Sequence, residues 1–134
     1  MDRISQEEPS GCGIACVASA LGISYKKAKV LFAKPDNAIL GGYYCRDLIK
    51  ALSKKGLNYS FSKVNSKNKK LVNSKGSIVF IKRSAKYPEG HYLINTGKGW
   101  MDPWINYANM NPARAGIRKS LPGMAEWVVY GSEI

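Results

Sequence analysis

The sequence contains no long hydrophobic run and no segment that resembles a secretory signal. Its uninterrupted aliphatic or aromatic stretches are no longer than Ile78 to Ile81, far below the ~20 residues that a membrane-spanning helix needs. Residues 1–8 include acids and lack the apolar core of a signal peptide. We therefore expect a soluble, cytoplasmic protein without a membrane span.

Cysteine and histidine are also scarce, with three cysteines and one histidine in the chain. Cys12, Cys16 and Cys45 cannot form a closed set of disulfides, because their number is odd. Cys12 and Cys16 lack the second Cys/His pair that a structural zinc site needs. We expect reduced thiols, no bound metal and no cofactor.

Acidic residues are outnumbered, since 9 Asp and Glu stand against 21 Lys and Arg, which gives a net charge of +12. Such an excess suits an anionic partner, either a nucleic acid or an acidic protein. The lysines of residues 66–70 are not interleaved with aromatic side chains, and no nucleic-acid module is recognisable. We interpret this stretch as a solvated basic face and keep nucleic-acid binding as the disfavoured alternative.

What is present is the composition of an ordinary folded domain. The 134 residues are 45% hydrophobic and 22% charged, which excludes wholesale disorder, a collagen repeat and a coiled coil. No linker or internal repeat is visible. We expect one domain over residues 1–134.

Helices are predicted in the first half of the chain and strands in the second. Small residues and helical spacing favour helices over 13–21, 25–33 and 44–55, with stops at Gly22 and Gly56. After Gly56 the apolar residues alternate with period two. Strands are predicted over 57–64, 77–82, 91–96, 100–101 and 127–130, while 65–75 is a loop or a short polar helix. This order is typical of an α+β fold with an antiparallel sheet.

Cys12 is a candidate nucleophile. It directly precedes the first predicted helix, where the helix dipole favours a thiolate. Gly11 and Gly13 flank it and allow both a tight turn and the close approach of a substrate chain. We therefore count both glycines as substrate-binding candidates.

His91 and Asp102 are candidates for a base and for the group that orients it. His91 opens a predicted strand after Gly90, and Asp102 follows on the next strand beyond the turn of residues 97–99. In a hairpin centred on Lys98, Asp102 lies near one end of the His91 strand rather than opposite it. A bulge or a carboxylate that reaches along the sheet would close the gap.

Gln6 completes a set that suits thiol catalysis. A cysteine at a helix start, a histidine on a strand and a carboxylate supply a nucleophile, a general base and an orienting group. The Gln6 amide, together with the backbone N–H of Cys12, can donate hydrogen bonds to the oxyanion that forms when a thiolate attacks a carbonyl.

In this order the residues resemble the papain-like peptidases that cut double-glycine leaders from bacteriocin precursors. The resemblance rests on Gln6, Cys12 to Cys16, the Gly41-Gly42 pair with Leu48 and Ile49 on the following helix, Gly90 to Ile94, and Asp102-Pro103. It covers residues 6–106, with the spacings from Gln to Cys and from His to Asp approximately kept.

The resemblance implies a papain-like fold in which Cys12 is the nucleophile, His91 the base and later the acid, Asp102 the orienting carboxylate and Gln6 the oxyanion donor. Gly90 and Trp104 join the two flanking glycines as substrate-binding candidates. The family has an Asp where this chain has Gly11, and no transporter segment follows here, so the leader specificity is not carried over.

These features leave several functions open. We predict a cysteine peptidase of unknown substrate, with a protein or peptide substrate that the charge favours as acidic. A papain-like deamidase or transglutaminase acting on a protein glutamine, in the manner of a toxin or effector, shares the same thioester step. A domain that only binds a peptide or a nucleic acid is the non-catalytic alternative. Cys16 and Cys45 are interpreted as structural, and the Gly41-Gly42 pair as a loop rather than a self-cleavage site.

Overall fold

The computed structural model describes residues 1–131 and has an α+β architecture, as the sequence predicts. Its helices are α1 (Cys12–Leu21), α2 (Tyr25–Lys29), a 3-10 turn (Pro35–Ala38), α3 (Cys45–Ser53) and α4 (Lys69–Val72). Its strands are β1 (Tyr59–Lys63), β2 (Ile78–Ile81), β3 (His91–Asn95), β4 (Trp100–Asp102), β5 (Gly116–Arg118) and β6 (Ala125–Gly131). The strands form one antiparallel sheet in the order β1-β6-β2-β3-β4-β5. Within residues 1–131, no helix is long and apolar enough to cross a membrane.

The sheet separates two groups of buried apolar side chains, because successive residues of a strand point to opposite faces. On one face, Tyr92 and Ile94 pack with α1 and α3. On the other face, Leu93 and Trp100 pack with Tyr87. Both faces of the central strands are therefore covered.

Helix α1 lies close against the sheet because its first turn is small. A Cβ atom placed on Gly13 would come within 3.0 Å of Leu48 and 3.4 Å of the Tyr92 ring. The first hydrogen bond of the helix runs from Ala15 N–H to the Gly11 carbonyl at 3.1 Å. The N–H groups of the preceding turn, including that of Cys12, point outward from the helix end. The N-terminus of α1 is thus set beside the first residues of β3.

Several element predictions differ from the structure. The 3-10 turn at Pro35–Ala38 was not predicted, and β6 begins at Ala125 rather than at residue 127. The second predicted helix ends at Lys29 instead of residue 33, and turns lead from there to the Lys34-Pro35 step. Strand β5 was not predicted, because three residues are too few for an alternating pattern. The 65–75 segment does contain the short polar helix α4, which the sequence allowed.

The turn between β3 and β4 shifts the predicted pairing by one residue. Ile94 pairs with Met101 and Asn95 with Trp100, so the same register places Asp102 beside Leu93, on the face that His91 also occupies. In the predicted hairpin, Asp102 would have paired with Ile94 on the opposite face. Since the side-chain period of a strand is two, this single step decides whether the carboxylate can reach the imidazole.

Candidate active site

The imidazole of His91 and the carboxylate of Asp102 form a buried pair. Nε2 of His91 lies 2.7 Å from Oδ1 of Asp102, and the two side chains are 4% and 0% exposed. His91 is the first residue of β3 and Asp102 the last of β4, so the carboxylate reaches along the sheet face to the histidine. No bulge is needed between these strands.

Asp102 has a partner on each oxygen. The backbone N–H of Trp104 donates to Oδ1 at 2.9 Å, and Nε of Arg118 donates to Oδ2 at 2.7 Å. Burial raises the pKa of this carboxyl, but the hydrogen bond and charge of His91 and the hydrogen bonds from Arg118 and the Trp104 N–H outweigh it, and the net pKa is lowered. The carboxylate is therefore held anionic in a fixed orientation.

Cys12 acts on the same imidazole from α1. Burial lowers the pKa of His91, while hydrogen bonds and charge interactions with Asp102 and Cys12 raise it, so that the net pKa is about 9. Because Nε2 is taken by Asp102, Nδ1 is the ring nitrogen left to serve the thiol. At neutral pH this arrangement favours the imidazolium form of His91, which the Asp102 carboxylate holds by a charge-assisted hydrogen bond.

The other two thiols are in different surroundings. Cys16 is fully buried one helical turn after Cys12, and burial raises the pKa of its thiol well above the usual range. Burial also raises the pKa of the Cys45 thiol, which accepts a hydrogen bond from Tyr92 at 3.7 Å. Neither is next to the imidazole, and both are poor nucleophiles by comparison.

The structure places Gln6 beside the loop that precedes Cys12. Its amide nitrogen donates to the carbonyl oxygens of Glu8 at 2.9 Å and Pro9 at 3.2 Å. Its Oε1 is buried and has no hydrogen-bond partner among the described residues. Both amide hydrogens are thus directed to the loop, so the oxyanion role of Gln6 stays a prediction that requires the side chain to turn.

A second oxyanion donor is available at the helix end. The N–H of Cys12 belongs to the first turn of α1, whose hydrogen bonds start only at Ala15. Such N–H groups point along the helix axis and bind negative charge. The backbone of Cys12 therefore meets the geometric requirement that the Gln6 amide does not meet in this conformation.

The four predicted substrate-binding residues divide into two pairs. Gly90 and Trp104 line the cleft that contains Cys12 and His91. Gly11 and Gly13 face protein instead, since a Cβ on Gly11 would lie 1.9 Å from the Tyr25 hydroxyl and one on Gly13 would press on Leu48. The contact with Tyr25 also explains why an Asp does not fit at position 11.

No protein-family model and no curated protein matches this chain. Any function assigned to it rests on its own geometry.

The cleft is large enough for a peptide segment, with a volume of about 1160 Å³. Its floor is a row of aromatic side chains, here called the aromatic row, which crosses β3, β2, β6 and β1 and consists of Tyr92, Phe80, Trp127 and Phe61. The rings of Tyr92 and Phe80 are 4.9 Å apart, and those of Trp127 and Phe61 are 6.0 Å apart. The facing wall carries three exposed apolar side chains, Ile39, Leu40 and Tyr44.

Two side chains of the site, Tyr87 and Arg118, were not predicted from the sequence. The ring of Tyr87 stacks on His91 with centroids 4.9 Å apart and an angle of 7°. Arg118 binds Asp102 from β5. Tyr87 lies in the loop before β3, and Arg118 lies on β5, which was not predicted. The sequence Gly-Ile-Arg, which is compatible with a strand, is the only feature that could have pointed to Arg118, and three residues are a weak indication.

Among residues 1–131, no group of three or more His, Cys, Asp or Glu side chains could hold a metal ion. The assembled groups are a thiol, an imidazole and a carboxylate in series. They can move a proton between sulfur and a leaving group and form a thioester.

Proposed function

We propose that the protein is a papain-like cysteine peptidase. The observation that supports this most is the placement of His91 between buried Asp102 and Cys12, with Cys12 at a helix N-terminus in a cleft. A carboxylate with two further partners orients the imidazole, and the imidazole is positioned to exchange a proton with the thiol. That is the division of roles in nucleophile, base and orienter catalysis.

The reaction would proceed in two halves. The sulfur of Cys12 attacks the carbonyl carbon, the oxyanion is met by the Cys12 N–H, and the C–N bond breaks as Nδ1–H of His91 protonates the leaving amine. The neutral imidazole then takes a proton from water, whose oxygen attacks the thioester. The C–S bond breaks, the acid product leaves, and the proton returns to the Cys12–His91 pair.

The cleft suits an extended peptide whose apolar side chains lie on the aromatic row. Its charged lining includes three cations, Arg46, Lys82 and Arg83, and two acids, Glu89 and Glu126. Together with the net charge of +12, this lining favours a substrate with acidic side chains, since opposite charge speeds encounter.

The test begins with alkylation by iodoacetamide at neutral pH, located by peptide mapping. We expect labelling at Cys12 that is lost in Cys12→Ala and strongly slowed in His91→Ala. Cys45→Ala is the matched control, because Cys45 lines the same cleft but is served by Tyr92 rather than by the imidazole. Labelling of Cys12 that ignores the His91 change would contradict the proposal.

The second step uses a peptide library and mass spectrometry. Peptidase action gives backbone cleavage that depends on Cys12. A gain of about one dalton per glutamine with no cleavage would instead assign a deamidase, since both reactions pass through the same thioester.

A further inference from the structure

Arg118 lies behind the His91–Asp102 pair and touches two members of the site at once. Its Nε donates to Asp102 Oδ2 at 2.7 Å, and its Nη2 donates to the Tyr87 hydroxyl at 3.4 Å. The Tyr87 ring is the one that stacks on His91. A single guanidinium therefore contacts both the carboxylate that binds the imidazole and the ring that covers it.

The Asp102 carboxylate depends on Arg118 for the pairing of its second oxygen, Oδ2. Oδ1 of Asp102 is satisfied by His91 and by the Trp104 N–H, whereas Arg118 is the hydrogen-bond donor found for Oδ2 in the described part of the chain. Asp102 is fully buried, and a buried charged oxygen without a donor is strongly disfavoured. Without Arg118, Oδ2 would lack this donor, and rotation of the carboxylate away from His91 would be favoured.

The strand pairing explains why Arg118 can reach. Trp100 pairs with Arg118, and Asp102 pairs with Gly116, so all four residues lie on one face of the sheet. Gly116 puts no side chain opposite Asp102, and the Arg118 side chain, 22% exposed, crosses that position diagonally.

The charges around His91 come from every element packed on it. Cys12 approaches from α1, Asp102 from β4 and Arg118, through Asp102, from β5. Tyr87 covers the ring from the preceding turn, where it also contacts Tyr107 and lies under the Lys86 ammonium at 5.5 Å. The Cys12 side chain, the imidazole, the carboxylate and the guanidinium thus interact one after the other, from α1 to β5.

We propose that Arg118 is a positioning residue, which fixes Asp102 and limits how strongly the carboxylate holds the proton on His91. The proposal rests on the proposed cysteine-peptidase function. Arg118 shares the negative charge of Asp102 with His91, so its removal leaves the full charge to act on the imidazolium. The proton is then held more tightly and is transferred less readily to a leaving group.

The test uses the fact that the chain has a single histidine, so that one NMR signal of ¹³C-labelled histidine reports the ring. The variants are Arg118→Gln and Arg118→Lys. The matched control is Lys119→Gln, which removes the same charge from the adjacent exposed residue. For each protein, the His91 pKa and the rate of Cys12 alkylation are measured.

In Arg118→Gln we expect the His91 pKa to rise by about half a unit to one unit. Iodide leaves without a proton, so alkylation reports the placement of the imidazole beside Cys12, and we expect it to slow by about tenfold because Asp102 is no longer held by Arg118. In Arg118→Lys the charge remains but the two-point contact is lost, so alkylation slows while the pKa stays near that of the wild type. Lys119→Gln changes neither quantity.

A His91 pKa that is unchanged or lowered in Arg118→Gln would overturn the inference, and so would undiminished alkylation in Arg118→Lys. If circular dichroism shows that Arg118→Gln is not folded, Arg118→Lys and Tyr87→Phe decide, the latter with a smaller expected slowing. Alkylation of the wild type that does not depend on His91 contradicts the proposed function instead, so the two failures are distinguishable.

Discussion

The two sides of the His91 ring differ in how completely their polar groups are paired. On the Asp102 side, the carboxylate is fully buried and both oxygens have donors from three elements. On the Cys12 side, the thiol is partly exposed in the cleft and the first N–H groups of α1 point outward. Oε1 of Gln6 is buried there and has no donor among residues 1–131.

The difference matches two separate tasks, because the Asp102 side orients the imidazole and the Cys12 side meets the substrate. Groups that hold the imidazole gain from being fixed before substrate binds, because a loose base is poorly aligned for proton transfer. Groups that meet the substrate must keep free bonding capacity for it. We therefore expect damage on the Asp102 side to appear in stability and damage on the Cys12 side to appear in reactivity.

The largest expected effect comes from Asp102→Ala. It leaves the buried His91 ring and the half-buried Arg118 guanidinium without their shared partner, which should lower the free energy of unfolding by about 3–5 kcal/mol. Urea unfolding at pH 7 measures it. Cys12→Ser is the counterpart, with a smaller loss of about 1–2 kcal/mol, because it removes one of the two partners that raise the His91 pKa, and with no alkylation at position 12. Equal losses of unfolding free energy in Asp102→Ala and Cys12→Ser would contradict the expected difference between the two sides of the His91 ring.

The next effect is the pH dependence of stability. The pKa of His91 is raised from 6.5 to about 9 in the folded state. Its contribution is therefore complete below pH 6.5 and is lost as the pH rises through 9, on the order of 3 kcal/mol. Unfolding curves between pH 6 and 10 check this. His91→Gln should flatten the slope, and a wild-type slope that survives in this variant would assign it to other groups.

A smaller effect is expected at the turn that leads into His91. Gly90 has φ +73°, and a Cβ there would lie 2.1 Å from the Phe80 ring. Gly90→Ala should cost about 2–3 kcal/mol and slow Cys12 alkylation by moving the imidazole. Gly41→Ala is the control, since φ is +96° but no described residue lies within 4 Å of an added Cβ, and a loss of about 1 kcal/mol is expected. Thermal unfolding compares them, and equal costs would contradict the close packing at Gly90.

The smallest stability effect is expected at Gln6. Gln6→Met removes the hydrogen bonds to the Glu8 and Pro9 carbonyls but also removes the unpaired Oε1, so the net loss should be about 1 kcal/mol. Turnover should fall by about 10²–10³ if the amide turns to meet the oxyanion. Unchanged kcat together with the loss of stability would assign Gln6 to the loop alone.

The sequence predicted the parts of the site that depend on residue type and order. Cys12 at a helix start and His91 at a strand start follow from local patterns. Asp102 was chosen correctly as the partner of His91, but its place on the sheet was predicted one residue out of register. A turn of Gly and Lys residues does not fix the pairing of its strands, and the pairing decides which face Asp102 occupies.

The parts that could not be predicted depend on contacts between distant segments. Arg118 reaches Asp102 only because β5 pairs with β4, and a three-residue strand has no pattern of its own. Gln6 was found from its residue type, but the direction of its amide is set by two carbonyls of the neighbouring loop. The pairing of β5 and the orientation of the Gln6 amide both depend on the surrounding structure, which a local sequence pattern does not contain.

An NMR titration of His91 in the wild type and in Cys12→Ser tests most directly whether Cys12 is paired with His91. Both Cys12 and Asp102 raise the pKa of this histidine to about 9. We expect a midpoint near that value in the wild type and a lower one in Cys12→Ser, because the interactions of the Cys12 side chain with the imidazole are removed. A midpoint at or below 6.5 in the wild type, or the same midpoint in both proteins, would contradict the pairing of Cys12 with His91.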